Sequence, residues 1–347
     1  MKKAGVFLIS FLVGFIMLAT MTYASEAYVY SFTLDEEDFN GLDINNLVTP
    51  VHVRIHQENY ILVTFEIFEE IERGNRPQLE FDSETGVIYL TQELYEGSLY
   101  SSWNNSGRIL NWNWRQVNIR HSHNIHYNNQ LIFTNGQFVD GINFNEIEDI
   151  TLFDIGLITV HVPKDFVMDT LYFDAPSGTI KTFGDNSIVV KDIFANTRNG
   201  DVILTDTHLH NVDLTATNGF LILDGVIVDG NISMSARNGD VIISNSQILS
   251  NFYSSIDNGD IILSNSTFAY NISSQATSGF IIWRDITVKQ NATATVTSGD
   301  IIIIDSRIDG RLTATATTGW INITRVDTDM DRANVRATNR GGSVKIN

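Results

Sequence analysis

Hydrophobic and polar residues alternate with period two along most of this chain, and from residue 178 onward the alternation is itself phased by glycine. Gly178, Gly200, Gly219, Gly239, Gly259, Gly279, Gly299, Gly319 and Gly342 fall at spacings of 19 to 23 residues, five of them 20. Asn, Ser or Thr precedes most of them, as at Asn199, Asn238, Ser278 and Thr318. Short β-branched runs follow, such as Val241-Ile242-Ile243 and Ile301-Ile302-Ile303. A polar-Gly step marks a corner, where glycine takes positive φ without a Cβ clash. One short strand per corner predicts turns that cannot bury their own apolar face and must stack on their neighbours. The predicted fold is all-β: a single-stranded parallel β-helix, or β-solenoid, with rungs of about twenty residues and a right-handed coil, over residues 151–347.

Counting from the residue after each phasing glycine, the second position is always apolar (Val202, Leu221, Val241, Ile261, Ile281, Ile301, Ile321, Val344) and the fourth is mostly so. These positions face the core, and the first and third face outward. The first position agrees in part, with Asp201, Asp240, Asp260 and Asp300 interleaved with Phe220, Phe280 and Trp320. The third does not. Ile203, Ile222, Ile242, Ile262, Ile282 and Ile302 form an apolar ridge, about 24 Å long at a strand spacing near 4.8 Å. A contiguous outward patch of this kind meets something. Three occupants fit: the amino-terminal region packed over it, a second copy, or a ligand. Ile222, Ile242, Ile262 and Ile282 are therefore candidate binding residues.

The second half of each rung has its own inward columns, one being Val212, Ile232, Phe252, Ile272, Ala292 and Leu312. Each buried aliphatic side chain contributes ~1.5–3 kcal/mol before entropy. Asn211, Asn231, Asn251, Asn271 and Asn291 recur in register, so their amides can hydrogen-bond along the stack until Arg311 ends the ladder. The chain stops one strand into a rung, at Ser343–Asn347. That leaves a C-terminal edge defended by Lys345, with self-association through it or through the ridge as an expectation.

Residues 25–150 share the β character without the phasing. Val51–His56 alternates apolar and polar, and Ile61-Leu62-Val63, Val87–Leu90 and Ile158–Pro163 read as strands. A segment near 93–130, rich in Ser, Asn, Trp and His, reads as an insertion. The strand ending in Val162-Pro163, the Ser177-Gly178-Thr179-Ile180 step and the repeated Asn/Ser-Gly-Asp-Ile-Ile rungs resemble the bacterial family of β-strand-repeat proteins provisionally named adhesins. The resemblance covers roughly residues 28–90 and 150–347. It implies a secreted or surface-exposed solenoid of unassigned activity, and it supplies no catalytic residues. The Trp/His-rich segment departs from that family.

The amino terminus changes the picture by giving an address. Lys2 and Lys3, an apolar run from Ala4 to about Thr20 and small residues around Ala24 predict a secretory signal peptide over residues 1–24. The expected location is secreted or cell-envelope, with an uncleaved membrane anchor as the alternative. The chain has no cysteine, which excludes a lipoprotein anchor, disulfides and thiolate chemistry. A net charge of −19 excludes nucleic acid as a partner and disfavours anionic membranes.

Candidate chemistry is sparse. Trp112 and Trp114 share a face if extended, beside Asn and Arg, which suits carbohydrate rings and also edge packing. His121 and His123 would share a strand face, with His126 returning through a turn, as a metal site requires. The Asp column suits a solvated turn position, and its interruption by Phe220 and Phe280 argues against a catalytic cluster. No cofactor motif is present. The expected function is a non-enzymatic, adhesin-like binding or scaffold role with a glycan or protein ligand. A polysaccharide-active β-helix enzyme and a metal-binding envelope protein are the alternatives.

Overall fold

The structure is a computed structural model of the 347-residue chain. It describes residues 28–47, 49–67, 77–92, 125–127, 130–134, 137–138, 156–185, 187–327 and 335–347. Parallel strands stack into two long sheets around one apolar core. A repeating turn supplies a four-residue strand to the first sheet, such as Val241–Ser244. It supplies a two-residue and a longer strand to the second, such as Gln247–Ile248 and Phe252–Asn258. The position-two column from Val202 to Val344 pairs strand by strand without slippage. This is the parallel β-solenoid that the glycine phase predicts.

The phasing glycines are required for a reason beyond positive φ. Gly259 and Gly279 do have φ of 153° and 146°. Gly200, Gly219 and Gly239 do not take positive φ among the described residues. In every one of these five, an added Cβ would overlap the carbonyl oxygen of the phasing glycine one turn earlier. Close backbone stacking is thus the shared constraint.

A second corner escaped the sequence reading. Asn245, Asn265, Asp285, Asp305 and Arg325 sit in the left-handed region with φ between 43° and 52°, and Gly225 occupies the same register. Asn and Asp tolerate this conformation better than other side chains do. The third corner carries the expected amide ladder. Asn271 Nδ2 donates to Asn251 Oδ1 at 3.0 Å and Asn291 Nδ2 to Asn271 Oδ1 at 3.0 Å. The ladder closes when the Arg311 backbone N–H donates to Asn291 Oδ1 at 3.0 Å. A further ladder, Asn258 to Asn238 to Asn218 to Asn199, runs beside the phasing glycines.

The amino-terminal strands belong to the same stack. Gly41–Asn45 pairs with Val167–Ala175 in the second sheet. Val51–His56 lies between Gly156–Pro163 and Ile180–Phe183 in the first. Strands on both sides of residue 150 therefore share both sheets. At this end the pattern turns antiparallel, with Tyr28–Asp35 on Tyr60–Ile67 and Gln78–Asp82 on Val87–Thr91. The leader expected at 1–24 and most of the insertion near 93–130 lie outside the described residues.

Candidate functional site

The isoleucine ridge is not open surface. Ile203, Ile222, Ile242 and Ile262 are 0% exposed and Ile282 is 2% exposed, yet none belongs to the solenoid core cluster. Ile222, Ile242, Ile262 and Ile282, expected as an outward binding stripe, are therefore buried side chains. The expectation that the amino-terminal region packs over it falls outside the described residues. The ridge continues into Lys181 and His52, which are also buried. There the Lys181 ammonium lies 4.6 Å from the Phe183 ring centroid, and the Arg54 guanidinium lies 4.0 Å from it.

The aspartate column is likewise corrected. Asp240 and Asp260 are buried rather than solvated. Each carboxylate accepts the backbone N–H of the same position one turn later. Asp201 Oδ1 takes Phe220 at 2.8 Å, Asp240 takes Asp260 at 2.8 Å, Asp260 takes Phe280 at 2.7 Å and Asp300 takes Trp320 at 2.7 Å. The Asp after the turn glycine thus satisfies a main-chain donor that a corner would otherwise orphan. Phe220, Phe280 and Trp320 carry no acceptor and serve as the donors.

Asp260 is the extreme case, because its Oδ2 is buried without a hydrogen-bond partner. Burial, and then the adjacent Asp240 carboxylate, push the Asp260 carboxyl well above the ordinary value of 3.8. A raised folded value means that folding takes up a proton. The associated stability is fully present below the unfolded value and is lost as pH climbs from there through the raised folded value. Thermal stability of the natural chain should therefore fall with rising pH more steeply than that of Asp260→Asn. The difference in slope should reach at most ~1.4 kcal/mol per pH unit. Parallel pH profiles for the two proteins would refute this assignment.

The outward face of the second sheet is different. One outward column, paired strand to strand, contains Tyr89, Asp43, Tyr172, Phe194, Asp213, Ser233 and Tyr253. Tyr172 is 37% exposed, Phe194 45% and Tyr253 42%. Tyr172 and Phe194 occupy adjacent strands, ~4.8 Å apart, and Tyr253 lies three strands further on. Asp43 sits between the Tyr89 and Tyr172 positions. Partial burial raises its carboxyl above the ordinary value against the pull of a hydrogen bond from Asn45. The column thus sets two exposed aromatic side chains on adjacent strands and a third three strands on, with Asp213 and Ser233 between them.

Beside it, Asp229 bridges two imidazoles, to His208 Nε2 at 3.0 Å and His210 Nδ1 at 2.6 Å. Burial pushes the Asp229 carboxyl up, and the two histidine hydrogen bonds outweigh it, leaving the carboxyl below its ordinary value. Among the described residues no group of three or more His, Asp or Glu is arranged to hold a metal ion. Of the sequence-based candidates, Trp112, Trp114, His121 and His123 lie outside the described residues. His126 falls in the strand Ile125–Tyr127 of a small separate sheet.

Comparison with known proteins bears on the architecture. The Toastrack DUF4097 family matches residues 123–347. No curated protein matches the chain. Among solved structures, a Parabacteroides distasonis ATCC 8503 protein provisionally named a lipid binding protein is similar at 13% identity and a TM-score of 0.41, over 93% of this chain and 98% of that one. A Clostridium sporogenes ATCC 15579 protein provisionally named a cell adhesion protein is similar at 7% identity and a TM-score of 0.23, over 92% of this chain and 100% of that one.

Proposed function

We propose, on the premise that this chain belongs to the Toastrack DUF4097 family, that it is an exported, non-enzymatic binding scaffold whose adhesin-like surface is the open face of the second sheet. The observation that carries the reading is the in-register exposure of Tyr172 and Phe194, with Tyr253 on the same column. Aromatic rings offer a flat apolar face with a polar rim. Stacked at strand spacing on a rigid sheet, they suit the faces of successive sugar rings in a polysaccharide. Asp43, Asp213 and the net charge of −19 favour neutral or amino-sugar chains over polyanions. An enzymatic reading has less support, because the repeated aspartates are committed to backbone N–H groups. Export is supported by the charged, apolar and small-residue order of the first 24 residues.

A glycan array probed with the chain and with Tyr172→Ala/Phe194→Ala/Tyr253→Ala tests this. The triple variant should keep its melting temperature, since all three side chains are exposed, and bind about tenfold or more weakly. Unchanged binding by the variant, binding of proteins alone, or release of shortened glycans would each overturn the reading.

A further inference from the structure

We infer that the two ends of the solenoid fit one another, so that the last turn of one copy docks on the first turn of the next and the chain assembles head to tail. The last turn, residues 335–347, carries Arg336, Arg340 and Lys345 and no acidic side chain. All three basic residues are exposed. Among the described residues none of them joins an ion pair. The first-turn elements, residues 28–38 and 77–85, carry Asp35, Glu36, Glu37, Asp38, Glu80, Asp82 and Glu84 and no basic side chain. In a chain of net charge −19, the basic end stands against the general trend.

Strand geometry agrees with the charges. Among the described residues, Val344–Ile346 and Val335–Asn339 each have a strand partner on one side only. Tyr28–Asp35 is antiparallel to Tyr60–Ile67, which is antiparallel to Gly156–Pro163. Two reversals restore the direction, so Tyr28–Asp35 runs the same way as Val344–Ile346. A copy translated along the stack would continue the first sheet with parallel pairing.

In the second sheet Gln78–Asp82 runs opposite to Val335–Asn339, so the same translation would pair these two strands antiparallel, and the charges meet residue on residue. Glu80 and Arg336 are the first and last members of one outward column, joined by consecutive pairings through Tyr89, Tyr172 and Tyr253. Without lateral shift, Arg336 meets Glu80 of the next copy. Beside that pair lie the half-buried apolar residues Val335 and Ala337 at one end and Phe81 and Leu79 at the other. Val344 and Ile346 are 41% and 51% exposed. A contact between unlike ends that repeats along an axis does not close on itself and builds open chains. Tail-to-tail pairing would instead oppose like charges.

Sedimentation velocity on the full chain, across concentration and salt, tests the inference. Species larger than dimers should grow with concentration at low salt. The apparent association constant should fall about tenfold or more between 50 and 500 mM NaCl. Arg336→Glu/Arg340→Glu/Lys345→Glu, and separately Glu36→Lys/Glu37→Lys/Asp38→Lys/Glu80→Lys, should each stay monomeric, and their equimolar mixture should associate again. Circular dichroism checks that the variants fold, with Arg336→Gln/Lys345→Gln as a milder version that should weaken association. A chain that is monomeric at every concentration at low salt, one that stops at a dimer, or association indifferent to these substitutions would overturn the inference.

Discussion

Ile242→Lys is expected to destabilise the chain by about 4 kcal/mol or more, which combines the lost burial of an aliphatic side chain with the burial of an ammonium group. Alternation places Ile242 on the outward side of a strand, where lysine is ordinarily neutral. The structure makes it 0% exposed, so the lysine would have to be desolvated or expel whatever covers the ridge. Gln275→Lys, at an exposed outward position of the second sheet, is the matched control and should change stability by less than about 0.5 kcal/mol. Chemical denaturation of the two variants measures both. Equal, small effects would show that the ridge is open in solution.

Gly279→Ala should cost about 3 kcal/mol or more, although it adds one methyl group. Two penalties combine. Gly279 has φ of 146°, and its Cβ would overlap the Gly259 carbonyl oxygen. Relief requires the corner to move, and in a stack that displaces the turns on either side. Gly341→Ala is the comparison. Its Cβ would meet only ordinary contacts, at 3.4 Å and beyond, so the cost should be slight. Midpoints of urea unfolding for the pair decide the point, and a tolerated Gly279→Ala would mean that the turns are not in backbone contact.

Much of this architecture is legible because a solenoid repeats its constraints. The position-two column and the amide ladder from Asn211 to Asn291 each recur at the phase of the glycines, so one reading serves every turn. The left-handed corner was also present in the residues, as Asn245, Asn265, Asp285 and Asp305 at one spacing. That signal is weak in a sequence because Asn and Asp are common in any turn. The aspartates after the glycines read as solvated for the same reason. Their role depends on a main-chain donor one turn later, which only the stacked register brings into reach.

The ridge shows a different limit. Its apolar identity signals that it is covered, but period-two alternation assigns it outward and contains no information on the cover. The aromatic strip left a signal of its own. Tyr172, Phe194, Asp213, Ser233 and Tyr253 each stand six residues before the next phasing glycine, from Gly178 to Gly259. Their mixed aromatic, acidic and hydroxyl identities hide the column, and counting forward from the preceding glycine blurs it, because the first two rungs are 22 and 19 residues long.

From Ile203 to Ile282 the outward side of the first sheet is buried, whereas the second sheet leaves Tyr172, Phe194 and Tyr253 exposed on its outward side. The chain contains no cysteine, so single substitutions report accessibility without background. Maleimide labelling under native conditions of Ile262→Cys and of Tyr253→Cys compares the two faces directly. Tyr253→Cys should react promptly and Ile262→Cys about 100-fold more slowly, limited by local opening and released by denaturant. Comparable native rates at the two positions would contradict that difference between the faces.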